Sequence, residues 1–246
     1  MVMNEPLGKI ITNFRFTLRA ALAEKPAFYF TLQRLRPSRR DLIVSKDTEI
    51  VIEGYPRSAN TFAVAAFLLA QERPVKVAHH LHVPAQVIRA VQWGIPTVVL
   101  IRKPEDAIVS RLIRRPDMDI VWALRGYISF YQTITQYRTG FIVAPFEEVV
   151  SNFGQVIVQT NERFGTRFVP FEHTEENIQR AFALVEDMDM KDRKKGKVTE
   201  TTEGRPSWMR EELKARKKSE LDNPMAKVLL QKARLICKLE IALNAF

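Results

Sequence analysis

From residue 49 onward, short apolar runs alternate with stretches whose apolar residues recur at helical spacing. Glu49 to Gly54 (EIVIEG), Val75 to His80, Pro96 to Arg102 (PTVVLIR) and Phe141 to Ala144 read as strands. Asn60 to Gln71, Pro84 to Trp93, Pro104 to Arg114, Asp119 to Tyr137 and Glu147 to Phe164 read as helices, with Pro104 at a natural first-turn position. This alternation requires a mostly parallel sheet covered by helices, the α/β class. Upstream, Leu7, Ile10, Ile11, Phe14, Leu18, Ala21 and Leu22 recur as the apolar face of an amphipathic helix with basic residues between them, and Arg34 to Arg40 reads as a basic loop. After Met188 the rhythm is lost among charges, with Gly196, Gly204 and Pro206 as breakers before closing helices from Trp208 onward. There is no internal repeat. The expected organisation is a basic amphipathic extension over residues 1–46, packed on or near one domain over residues 47–246.

Composition sharpens this in two places. The 246 residues carry 38 Lys plus Arg against 28 Asp plus Glu, a net charge of +10. The excess is confined to Met1–Lys46, with 9 basic and 3 acidic residues, and Met188–Glu220, with 11 and 7. Such clustering favours anionic partners. Cys237 is the single cysteine, so an internal disulfide is excluded and a reducing, cytoplasmic location is expected. No run reaches the roughly 18–20 apolar residues of a membrane span, and Lys9, Arg15 and Arg19 interrupt the start, so neither an anchor nor a signal peptide is expected.

The segment Gly54 to Phe62, G-Y-P-R-S-A-N-T-F, lies between a strand and a helix, where backbone N–H groups aim at whatever sits above the helix N-terminus. Arg57 adds a full charge; Ser58, Asn60 and Thr61 add short donors. The Walker A pattern is absent and no Lys lies in the segment, which disfavours an ordinary ATP or GTP hydrolase. The plainer reading makes Ser58 and Asn60 helix caps. A second element, Ile101 to Arg111 (IRKPEDAIVSR), ends a strand in Arg102 and places Ser110 on the next helix. Ligands of open parallel sheets bind outside the carboxyl ends of the strands, so both elements should face one crevice and take a ligand with two separated phosphate groups.

On these residues the chain resembles the sulfotransferases that use 3′-phosphoadenosine 5′-phosphosulfate (PAPS). Pro56, Arg57, Ser58, Ala59, Asn60, Thr61 and Phe62 stand where that family has its P-K/R-S-G-T-T-W phosphosulfate loop. Arg102, Lys103, Pro104, Glu105, Asp106, Ala107, Ile108, Val109 and Ser110 match its 3′-phosphate signature, R-N-P-K-D-V-A-V-S, without a gap. The resemblance covers roughly residues 49–165. It implies a P-loop nucleotide-kinase-like architecture for the α/β domain. It also implies a 5′-phosphosulfate held by loop amides with Ser58, Ala59, Asn60 and Thr61, and a 3′-phosphate gripped by Arg102 and Ser110. Arg57 would stabilise charge on the bridging oxygen, Phe62 would lie against adenine, and no metal would be required.

A general base is expected in V-A-H-H-L-H-V-P, residues 77–84, where His80 aligns best with the family's histidine and His79 and His82 are the alternatives. In an extended strand His79 and His80 would point to opposite faces. A zinc site from the three histidines is a competing reading. Departures from the family are Ala59 for Gly, Phe62 for Trp, Phe146 for Tyr and the absence of the R-K-G-x-x-G-D-W-K segment, for which Lys194, Lys195 and Gly196, or Arg205, are candidate substitutes. The expected function is sulfuryl transfer from PAPS to a hydroxyl or amine of a small molecule, lipid or glycan, leaving adenosine 3′,5′-bisphosphate. The alternatives are a catalytically silent relative that binds a polyanion or membrane surface through its basic segments, and a nucleotide or sugar kinase. A nucleic-acid partner is not expected.

Overall fold

The computed structural model describes residues 26, 29–31, 41–192, 213–215 and 217–243. The Leu7–Leu22 amphipathic stretch, the Arg34–Arg40 loop and the candidates Lys194, Lys195, Gly196 and Arg205 lie outside the described residues. Four parallel strands, β1 (Ile50–Gly54), β2 (Val77–His79), β3 (Thr97–Ile101) and β4 (Ile142–Pro145), form one sheet in the order β2-β1-β3-β4. The helices between and after them are α1 (Asn60–Ala70), α2 (Pro84–Gln92), α3 (Pro104–Arg114), α4 (Ile120–Thr135), α5 (Phe146–Phe164), α6 (Glu175–Asp192) and α7 (Pro224–Ala242). This is the α/β class that the alternation requires: a parallel sheet flanked by helices.

Because helices cover both faces, β1 and β3 are buried along their whole length and read as continuous apolar runs rather than alternating ones. Ile50, Ile52, Val98 and Leu100 pack against Phe67 of α1 and Phe153 of α5. On the opposite face Val99, Ile101 and Val143 meet α2, α3, α4 and α7. Tyr29, Phe30, Ile43 and Val44 join Val51, Ala78 and Leu81 in a third cluster. β1 and β3 lie so close that a Cβ at Gly54 would run into the Leu100 carbonyl, so that position accepts only glycine without a shift.

The chain runs from β1 to β2 on one side and returns to β3 on the other. The strand order therefore reverses between β1 and β3, the position at which open parallel sheets take ligands in a crevice beyond the carboxyl ends of their strands. Two elements differ from the sequence expectation. β2 stops at His79 because His80 turns left-handed, at φ 58. α6 carries too sparse an apolar stripe to be read from periodicity; it packs on α1, with Ala181 buried and Phe182 against the core. Among the described residues no helix is long and apolar enough to cross a membrane.

Candidate functional site

The loop from Tyr55 to Ala59 leaves β1 and enters α1 through two left-handed residues, Arg57 at φ 75 and Ala59 at φ 69. Left-handed residues interleaved with right-handed ones turn successive N–H groups to one side, which makes an anion-binding concavity. No side chain caps α1 at Ala59. Ser58 and Asn60 are buried, and neither serves as a cap. The Asn60 amide nitrogen donates to the Tyr55 carbonyl at 3.4 Å, while its Oδ1 has no partner. The Ser58 hydroxyl makes no hydrogen bond of its own at good geometry, yet it offsets part of the rise that burial imposes on the Tyr131 phenol. The capping explanation of these residues therefore fails, and the first-turn N–H groups of α1 are left for another acceptor.

The two strand tips meet. Arg102 follows β3 and donates from Nη1 to the Arg57 carbonyl at 3.2 Å, with its guanidinium 3.9 Å from the Phe146 ring centre. Arg57 in turn donates from Nε to the Ser110 hydroxyl of α3 at 2.9 Å. The loop after β1, the tip of β3 and the side of α3 thus form one connected set. Arg111 lies over the Tyr55 ring at 5.4 Å, and Arg114 is close enough to depress the pKa of His80. The crevice is strongly cationic, and its charges come from three separate elements.

The opposite wall is the histidine turn. His80 and His82 are both left-handed, at φ 58 and 54, so the three imidazoles gather on one side instead of alternating as in a strand. The His79 and His80 ring centres are 4.7 Å apart and those of His80 and His82 5.7 Å. His80 Nδ1 is hydrogen-bonded to His79 Nδ1, and its Nε2 lies 3.1 Å from the Thr61 hydroxyl of α1. Packing around the ring, then His79, His82 and Arg114, hold the His80 pKa well below the usual imidazole value, so the ring is neutral at pH 7. His82 donates from Nδ1 to the Gly54 carbonyl at 2.8 Å. Among the described residues no group of three or more His, Cys, Asp or Glu side chains is placed to hold a metal ion.

Phe62 departs from its expected place. Its ring is buried and engaged by Phe171, Phe182 and His173, with centres 5.5–6.3 Å away, so it belongs to the α1–α6 core and offers no open face to a base. Four further residues, Phe146, Tyr127, Tyr131 and Glu53, play parts at the site that the sequence did not show. Phe146 stacks on Arg102. The phenols of Tyr127 and Tyr131 on α4 donate to the carbonyls of Arg102 and Leu100 at 2.8 Å each and so fix the tip of β3. Glu53, fully buried in β1, accepts from the N–H groups of Leu81 at 2.7 Å and His82 at 3.1 Å. An acid inside an otherwise apolar strand, EIVIEG, was the available signal for Glu53.

No protein-family model matches the chain, and no curated protein matches it in sequence. Among solved structures it is similar to mouse sulfotransferase SULT7A1 complexed with PAP, at 12% identity and a TM-score of 0.44, over 85% of this chain and 92% of that one. A likeness at that level transfers no residue role, so function rests on the crevice itself.

Proposed function

We propose that the protein transfers a sulfuryl group from PAPS to a hydroxyl or amine acceptor on a small molecule, lipid or glycan. The observation that carries this reading is the linked set Arg102–Arg57–Ser110 across the switch point, which joins two anion-binding elements in one crevice. The residues fit a ligand with two separated phosphate-type groups. The left-handed loop with its uncapped helix N-terminus and the buried Ser58 hydroxyl suits one group, and Arg102 with Ser110 suits the other.

The donor supplies an activated sulfuryl group, and the protein's part is placement, charge and proton handling. Loop N–H groups, Ser58 and Thr61 orient the donor's 5′ end, and the Arg57 guanidinium stabilises negative charge developing there. Arg57 now sits on Ser110, so a ligand phosphate at that serine exchanges one hydrogen-bond partner for a charged one. The neutral His80 ring, on the far side of Thr61, takes the acceptor's proton at Nε2.

The test is donor turnover against hydroxyl and amine acceptors, read as equimolar release of adenosine 3′,5′-bisphosphate and sulfated product. His80→Asn should lower the rate roughly 100- to 10,000-fold. Undetectable donor binding, with salt-sensitive binding to heparin or anionic vesicles that persists in Arg57→Ala, would instead mark the silent, polyanion-binding alternative.

A further inference from the structure

Glu53 stands in a strand whose other side chains are apolar, and it places a carboxylate where no water reaches. Burying an acid costs several kcal/mol unless its oxygens are fully hydrogen-bonded. Here they are. Oε1 accepts from Leu81 N–H at 2.7 Å and from Gln86 Nε2 at 3.1 Å, and Oε2 from His82 N–H at 3.1 Å. Gly54 N–H approaches Oε2 at 3.3 Å, and His82 Nδ1 lies 3.8 Å from the same oxygen. Gln86 is itself anchored, donating to the Leu42 carbonyl at 2.9 Å and accepting from Val44 N–H at 3.0 Å.

What these bonds hold is the least favourable backbone on this side of the crevice. Two non-glycine residues within three positions, His80 and His82, are left-handed, each at a cost of about 1–2 kcal/mol. Such a turn persists only when its surroundings over-determine it. The two successive N–H groups of Leu81 and His82 both donate to Glu53. Leu81 is fully buried and fixes the turn from below, while the His82 ring is tied to the Gly54 carbonyl. In this turn the His80 ring lies with Nε2 3.1 Å from the Thr61 hydroxyl.

We propose that Glu53 is a positioning residue that, through the backbone of Leu81 and His82, fixes the His80 ring against Thr61 and so sets which ring nitrogen faces the crevice. The proposal deepens the transfer reading and rests on it. Every donor around the carboxylate favours its ionised form, whereas burial pushes its pKa up to about 7, so the ionised carboxylate depends on keeping all of its donors. In Glu53→Gln an amide NH₂ replaces one oxygen and faces groups that are themselves donors, leaving Leu81 or His82 N–H without an acceptor.

The experiment is side-chain nitrogen–proton NMR of the histidines in the full chain, with titration of adenosine 3′,5′-bisphosphate in parallel. In the wild type His80 should show one fixed tautomer and a pKa depressed by burial and then by His79, His82 and Arg114. In Glu53→Gln its two nitrogen resonances should move toward the average of interconverting tautomers and its titration toward the ordinary value, while bisphosphate affinity stays within about threefold. Leu230→Ala, a truncation on α7 in a different core cluster from Leu81, should leave the His80 signature unchanged. If Glu53→Gln does not fold, Gln86→Met removes one donor from the carboxylate and should give a smaller shift in the same direction. Unchanged His80 resonances in the Glu53 or Gln86 variant, or an equal change in Leu230→Ala, would overturn the positioning role. Failure of the wild type to bind bisphosphate would overturn the transfer reading instead, leaving the NMR result to stand or fall separately.

Discussion

Ala59 holds the loop between β1 and α1 in a conformation that an alanine adopts at a loss, and substituting it measures that loss directly. At φ 69 and ψ 20 its Cβ crowds the following carbonyl, a penalty of about 1–2 kcal/mol. Ala59→Gly removes the penalty but gives back about 0.5–1 kcal/mol of unfolded-chain freedom. It also loses a methyl partly buried beside the α1–α5 cluster, worth less than about 0.8 kcal/mol. At the middle of these ranges the net effect is close to neutral. Ala59→Val places a branched side chain in the left-handed region and should cost about 1–3 kcal/mol. The glycine variant should therefore be the more stable of the two, by about 2 kcal/mol at mid-range, roughly 4–8 °C in Tm for a domain of this size. Urea denaturation with unchanged m-values is the assay. A residue with ordinary negative φ predicts the reverse order, with glycine the least stable by about 0.5–1 kcal/mol and valine close to alanine. That reversed order would refute the left-handed cradle.

Tyr127→Phe removes the phenol that holds the Arg102 carbonyl at 2.8 Å, so it should cost about 1–3 kcal/mol in urea denaturation and weaken adenosine 3′,5′-bisphosphate several-fold. Because the folded-state pKa of His80 is depressed, its contribution to stability is present above the unfolded value near 6.5 and is lost as pH falls below it. The Tm of the wild type should therefore drop more steeply between pH 6.5 and 5 than that of His80→Asn; parallel curves would contradict the depressed pKa.

Much of the crevice was legible because local signals agreed with the global fold. Pro104 marks the start of α3, Arg102 closes a strand of β-branched residues, and the eight-residue offset to Ser110 carries it along one helix to face the loop. The histidine turn was not legible. His80 and His82 have no intrinsic reason to be left-handed; they are held there by Glu53, nearly thirty residues earlier, a tertiary constraint that overrides local preference. Phe62 misled for a related reason. Its place after the loop marks an aromatic near a ligand, but α6 and Phe171, invisible to periodicity, close over it. Phe146 reads as a lost hydroxyl in the sequence, whereas in the fold its ring is what Arg102 stacks on.

The central claim is that two strand tips form one receptacle for a nucleotide phosphorylated at both its 3′ and 5′ positions. Calorimetric titration of adenosine 3′,5′-bisphosphate against adenosine 5′-monophosphate, in the wild type and in Arg102→Ala, addresses it most directly. The account predicts at least about tenfold tighter binding of the bisphosphate, about 1.4 kcal/mol, and loss of that preference without Arg102. Equal affinity for the two nucleotides, or a preference that survives removal of the guanidinium, would contradict it.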